Sequence, residues 1–240
     1  MTAVQDHLPT SIDELQAQLE SSSLPKQLQQ LSDIAAAGEP GLSLFMDFLR
    51  DRPPSDRPSE VIIRGTMYQY LVADRRDTTQ AFLQQNLPDG VVPLQSDRSI
   101  DYRPLQQLLA QQNFEEADRV TLQKMCELSG ETAIARKWLY FTEVDGFPIS
   151  DLCTIDRLWL AHSQGKFGFS VQRELWLGSG KNWDVLWSKI GWRTEKLWTR
   201  YPNEFTWDLS APRGHLPLTN QLRGVRVMAA LMKHPAWSDR

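Results

Sequence analysis

All nine tryptophans of this 240-residue chain fall between Trp138 and Trp237, leaving the first 137 residues with none. An indole buries a large apolar area and carries one N–H that must find a partner, so the fold of the last hundred residues has to be organised around aromatic packing. The first part must build its core from Leu, Ile, Val, Met and Phe instead. From Gly191 onward Trp192, Trp198, Tyr201, Phe205 and Trp207 alternate with Arg193, Arg200, Arg213, Arg223 and Arg226. Flat apolar surface beside fixed positive charge suits a ligand that is itself flat, apolar and anionic at its edge.

The length permits a core without metal or disulfide staples, and two compact parts are expected. Residues 1–95 hold 7 basic and 13 acidic groups; subtraction from the totals of 26 and 30 leaves 19 and 17 for residues 96–240. A net charge of −4 with one local basic region argues against extended duplex binding, which needs many phosphate contacts. Cys126 and Cys153 have no zinc-ligand spacing and read as reduced thiols. No basic segment followed by an apolar run opens the chain, and no stretch reaches the ~18 apolar residues of a membrane span, so a soluble, cytoplasmic protein is expected.

The apolar spacing predicts an all-α fold. Ser11 and Glu14 have the spacing of a capping box ahead of Leu15 and Leu19. Further helices are expected from Pro25 through Ile34, over Leu42–Leu49, Val61–Ala73 and Thr79–Gln85, with the Pro-rich run from Arg52 to Pro58 as a loop. Residues 1–90 then form an N-terminal bundle, Leu87–Ser99 a linker, and residues 96–240 a larger helical binding domain. In the latter, helices are predicted over Leu105–Ala110, Phe114–Leu128, Ser150–His162, Ser170–Leu177, Trp183–Ile190 and Pro217–Lys233. No helical period survives between Gly191 and Pro212, and a loop of that length inside a compact domain is usually functional.

Catalytic constellations fail on spacing. Gly178-Ser179-Gly180-Lys181 imitates the end of a phosphate loop, but Leu175 stands where a glycine is needed and Asn182 replaces the magnesium-binding Ser or Thr. His162, His215 and His234 are too scattered for a metal triad. The chain is therefore expected to be a non-catalytic binder with no catalytic cofactor. Core packing accounts for Trp159, Trp176, Trp183, Trp187 and Trp237. Trp198, Tyr201 and Phe205 are expected to be exposed on the loop, covering a pocket or a partner. Arg223 and Arg226, three apart on one helical face, offer planar guanidinium groups for carboxylates. If the ligand carries magnesium, Asn220 supplies a harder donor than His215. Single-stranded RNA binding by stacking and Arg, or a protein-interaction scaffold, are the competing readings of the same residues.

Several long strings bring these residues together: CEL at Cys126, WLYFTEV from Trp138 to Val144, FGFSVQR from Phe167, KIGW from Lys189, FTWDLSAP from Phe205, GHLPL from Gly214, and NQLRGVRV from Asn220 to Val227. In them the chain resembles the "genomes uncoupled four" family, porphyrin-binding activators of magnesium chelatase in chlorophyll synthesis. The resemblance implies a helical domain holding protoporphyrin IX and, more tightly, magnesium-protoporphyrin IX. Phe141 and Val144 would line the site, Trp198 and Tyr201 would flank the ring, and Arg223 and Arg226 would meet the propionates. The partner it implies is the large porphyrin-binding subunit of the chelatase, not nucleic acid. Tyr201 departs from the family pattern, where a Trp is usual, keeping the stacking surface but shrinking it. The exposed aromatics and basic loop would permit peripheral association with thylakoid or envelope membranes without demanding it.

Overall fold

The structure, a computed structural model, describes residues 9–195, 197–218 and 225–238. It is helical throughout, with a two-residue hairpin as its only ladder among the described residues. Helix α1 (Ile12–Glu20) starts at the expected cap: Ser11 Oγ accepts the Glu14 N–H at 3.2 Å, and the Glu14 carboxylate accepts the Thr10 N–H at 2.8 Å. Leu15 and Leu19 are buried. Helix α2 (Leu24–Ala36) has Pro25 in its first turn and buries Leu31 and Ile34.

Helix α3 (Glu39–Asp51) begins three residues earlier than the apolar spacing suggested. Gly38, at φ +76°, breaks α2, and Pro40 is tolerated within the first turn of α3. Gly41 lies against the Ile34 carbonyl, where a Cβ would come within 1.8 Å of the oxygen. The two glycines thus close the α2–α3 turn tightly.

Helix α4 (Pro58–Ala73) is covered on nearly every side, burying Val61, Ile62, Ile63, Met67 and Leu71 together with Arg64, Thr66 and Gln69. A helix so enclosed is a central strut rather than a surface element. It packs on α2, α3 and α5 (Asp77–Asn86), and on α6 (Arg103–Ala110) and α10 (Ile149–His162) of the following half. Gly65 meets the carbonyl of Ala161 at the α4–α10 crossing. One turn on, the Gln69 amide donates to the His162 carbonyl oxygen at 2.9 Å. One continuous apolar cluster consequently runs from Leu15 to Trp237.

The segment read as a linker is part of that core. Val91 and Val92 are buried, and the Val92 N–H is accepted by Gln106 at 3.2 Å. Asp151, fully buried, accepts the Asp97 N–H at 2.9 Å and the Tyr102 hydroxyl at 2.8 Å. Its backbone groups are therefore satisfied by the second half of the chain, which a spacing argument cannot foresee.

Helix α7 (Phe114–Ser129) packs beside α6, and Trp159 of α10 donates its indole N–H to Thr121 Oγ1 at 3.0 Å between Phe114 and Phe167. Two short helices escaped the periodicity, α8 (Glu131–Arg136) and α9 (Phe141–Val144); each is too short to show a period. Helices α11 (Phe169–Gly178) and α12 (Trp183–Lys189) are joined by the turn that imitates a phosphate loop. There Asn182 accepts the Val185 N–H at 3.2 Å and caps α12. Strands β1 (Arg193–Thr194) and β2 (Leu197–Trp198) form the hairpin.

The last helix, α13 (Arg226–Lys233), is shorter than predicted, because Pro217 and Leu218 are not helical: the Leu218 N–H goes to the Asp118 carboxylate. A closing 3₁₀ turn, Pro235–Trp237, is tied back when His234 donates from Nε2 to the Phe147 carbonyl at 3.1 Å while Nδ1 accepts the Ala236 N–H. No described helix is long and apolar enough to cross a membrane.

A methyl at Gly65 has nowhere to go, since its Cβ would sit 2.2 Å from the Ala161 oxygen and 2.5 Å from the carbonyl carbon. Gly65→Ala is expected to destabilise by about 1–3 kcal/mol or more through forced separation of α4 and α10. Gly178→Ala, with nothing within 4 Å of the new methyl, should be neutral or stabilising. Denaturant unfolding of both variants compares the two.

Candidate functional site

The aromatic half of the chain folds into two linked groups. In the first, Trp176, Trp183, Trp187 and Trp192 form a column with successive ring centroids 5.0, 5.2 and 5.4 Å apart and interplanar angles of 27°, 21° and 7°. Offset stacking at this spacing adds to plain area burial. Trp198 extends the column from the hairpin, tilted on Trp187 at 5.8 Å. Arg193 pairs with Asp184 at 2.6 Å and lies over the Trp198 ring at 5.9 Å.

The second group is Tyr201, Phe205, Trp207 and His215. His215 organises it. Its Nδ1 donates to the Ile190 carbonyl at 2.6 Å, its Nε2 accepts the Thr206 N–H at 3.2 Å, and its own carbonyl accepts the Trp192 indole N–H at 2.7 Å. With both ring nitrogens occupied, His215 has none left for a metal. Burial pushes its pKa below the ordinary value.

Among the loop aromatics, Trp198 is 46% and Tyr201 53% exposed. Phe205, expected on the surface with them, is buried, because Tyr201, Trp207 and His215 close over it. Trp192, also loop-borne by sequence, is buried as the last ring of the column.

A third feature joins elements distant in the chain. Helices α9 and α13 pack together, and the Arg226 guanidinium, at the first residue of α13, lies 5.5 Å over the ring of Phe141. Phe141 is 39% exposed, whereas Val144 is fully buried behind it, a wall residue rather than an open surface. Arg226 has no carboxylate partner among the described residues, and a planar guanidinium is the group best shaped to hold a carboxylate. Arg223 and Asn220 lie outside the described residues. Arg173 donates to the Met232 carbonyl at 3.0 Å, holding the far end of α13 on α11.

Two features of the site carry no sequence signal. Asp118 of α7 is buried, has no counter-ion among the described residues, and accepts the Leu218 N–H at 2.6 Å, close to Tyr201. Burial pushes its pKa up to about 7, against the lowering effect of that hydrogen bond. Burial, then Asp118 and Glu115, raise the Tyr201 phenol, which stays neutral. The other feature is Arg136, whose guanidinium lies 4.3 Å from the ring centroids of both Trp138 and Tyr140.

No group of three potential metal ligands occurs among the described residues. A cleft of about 740 Å³ between α1, α2 and the Pro-rich loop, and one of about 420 Å³ beside Gln69 and Gln112, are lined by none of Phe141, Val144, Trp198, Tyr201 and Arg226. The chemistry points elsewhere: to an exposed indole, a phenol, a phenyl ring and the guanidinium over it.

Fold and side chains together define an all-helical chain that exposes aromatic rings beside a guanidinium. A sequence profile described as "GUN4-like" matches residues 95–235, and one described as "ARM-like repeat domain, GUN4-N terminal" matches residues 3–88. The chain belongs to the GUN4 family, the "genomes uncoupled four" group. It is 52% identical over 229 residues to the "Ycf53-like protein" of Synechocystis sp., covering 95% of this chain and 97% of that one. It is 41% identical over 143 residues to the "Tetrapyrrole-binding protein, chloroplastic" of Arabidopsis thaliana, 56% of this chain and 54% of that protein. The solved structure of GUN4 from Chlamydomonas reinhardtii superposes with a TM-score of 0.58 at 41% identity, covering 61% of this chain and 94% of the other.

Two buried groups oppose each other in acid. His162, whose ring nitrogens have no hydrogen-bond partner among the described residues, has its pKa pushed by burial down to about 3, so its contribution is present above pH ~6.5 and lost as pH falls toward 3. Asp118 is raised, so its contribution is present below pH ~4 and lost as pH rises through about 7. Asp118→Asn keeps an acceptor for Leu218 and removes the second effect. Between pH 4 and 7 the variant should gain stability with pH more steeply than the parent, by up to about 1.4 kcal/mol per pH unit. Parallel pH curves from urea unfolding would mean that Asp118 is ionised in the fold.

Proposed function

We propose that this chain binds protoporphyrin IX and, more tightly, magnesium-protoporphyrin IX, and that it stimulates magnesium chelatase in chlorophyll synthesis without itself catalysing a reaction. The observation that carries the reading is the Arg226 guanidinium, without a carboxylate partner among the described residues, lying over a partly exposed Phe141 in a chain related to a tetrapyrrole-binding protein. A macrocycle laid on Phe141 and flanked by Trp198 and Tyr201 buries its faces on apolar carbon. Its propionates then fall to groups of the Arg226 kind. Area burial at ~25 cal/mol per Å², less the cost of ordering the ligand and loop, supplies the affinity, and the charged contacts fix the orientation.

Arg223 is assigned the second propionate and Asn220 the axial position on a ligand-borne magnesium. The engagement of His215 within the loop supports Asn220 in that place. The ligand would be passed to, or received from, the large porphyrin-binding subunit of the chelatase. Shielding a photosensitising pigment from oxygen and water is a second benefit of the same burial. The proposed place of action is the cytoplasm, with access to thylakoid or envelope membranes.

Titration with a soluble protoporphyrin, following tryptophan quenching and the porphyrin absorption band, should show saturable one-to-one binding. Arg226→Ala and Arg223→Ala should each lose about 1.5–3 kcal/mol, roughly ten- to a hundredfold in Kd. Binding by both variants at parental strength would refute the propionate assignment. Absence of saturable binding by the parent, with steeply salt-dependent binding of single-stranded RNA instead, would replace the porphyrin reading altogether.

A further inference from the structure

A helix of four residues cannot hold itself, because forming a first turn fixes several backbone dihedrals for a single hydrogen bond. Yet α9 must be rigid: it carries Phe141 beneath Arg226 and Val144 in the core. What fixes it comes from outside. Arg136, the last residue of α8, reaches across the turn at Lys137, whose φ of +61° reverses the chain. Its Nη2 donates to both oxygens of Glu143 at 2.9 and 2.7 Å, and its Nε donates to the Trp138 carbonyl at 3.0 Å. The guanidinium plane lies against Trp138 and Tyr140, each centroid 4.3 Å away.

Glu143 completes the arrangement from inside α9. Its carboxylate also accepts the Tyr140 N–H at 2.7 Å, satisfying a donor that the first turn leaves free. Both charged side chains are largely enclosed, at 15% and 23% exposure, so solvent screens the pair weakly. Only a planar guanidinium can use two ring contacts and three hydrogen bonds at once; an ammonium in this place keeps the charge and loses the rest.

We infer that Arg136 is a positioning residue for the ligand site, locking α9 so that Phe141 is held at a fixed height and tilt against Arg226. The inference rests on the tetrapyrrole reading above. With the clamp in place the apolar face is built before the ligand arrives. Without it, part of the population lacks an ordered α9, and apparent affinity falls by the competent fraction. The clamp makes no contact with ligand in this scheme; Arg136 acts only through Phe141.

Arg136→Met, Arg136→Lys and Glu143→Gln in the full chain test it by two readouts. In the ligand-free protein, hydrogen exchange at residues 138–146 should accelerate while α7, α10 and α13 keep parental protection. In porphyrin titrations, Kd should rise by roughly tenfold for Arg136→Met, from the lost competent fraction, with Arg136→Lys between it and the parent. The induced circular dichroism of the bound porphyrin should change, a signature of altered ring pose that a general loss of stability does not produce. Unchanged exchange overturns the clamp, and faster exchange with unchanged Kd and dichroism overturns its link to binding. A parent that binds no porphyrin overturns the function proposed above and the positioning role with it, while exchange still reports whether Arg136 holds α9. Should Arg136→Met fail to fold, Arg136→Lys and Glu143→Gln carry the same comparisons.

Discussion

The crossing of α4 with α10 is the contact on which the rest of the molecule depends. Gly65 brings the backbone of α4 against the Ala161 carbonyl, and Gln69 hydrogen-bonds the His162 carbonyl one turn further along. Any side chain at position 65 would hold the helices apart. At this spacing the two halves of the chain share one apolar cluster, and the segment between them is pinned by Asp151 and Gln106 rather than left free. The tryptophan-rich half is thereby built against a support that extends into the N-terminal half.

On that support, aromatic packing makes an irregular segment rigid. Residues 191–216 have little regular secondary structure, yet the indole column anchors one end and the His215 hydrogen bonds secure the other. The same packing divides the rings by role: Trp192 and Phe205 are consumed as core, while Trp198 and Tyr201 keep exposed faces. A site for a large flat ligand needs this combination, because a ring that moves freely pays its ordering cost when the ligand binds. The short helix α9 meets the same requirement by charge, through Arg136 and Glu143, instead of by mass of apolar surface.

Asp118 and His162 show what enclosing ionisable groups entails. Each is buried and pushed toward its neutral form by desolvation, the pKa of His162 down to about 3 and that of Asp118 up to about 7, with opposite dependence on pH. The Asp118 carboxyl also accepts the Leu218 N–H, so the same buried group holds a backbone segment 100 residues away.

The sequence by itself determined the all-helical class, most helix positions and the concentration of tryptophan in the last hundred residues, since these follow from period, caps and composition carried by neighbouring residues. Ser11, Pro25 and Asn182 act where local chemistry placed them. The family strings contain Phe141 and Arg226, and the resemblance implied Trp198 and Tyr201, but spacing alone could not place Phe141 under Arg226, 85 residues away. Tertiary structure alone decided that Phe205 is buried, that the supposed linker belongs to the core, that Leu218 serves Asp118 instead of a helix, and that Arg136 holds α9. Each of these is a contact between elements remote in sequence, and burial of a given side chain is a property of what the rest of the chain places on top of it.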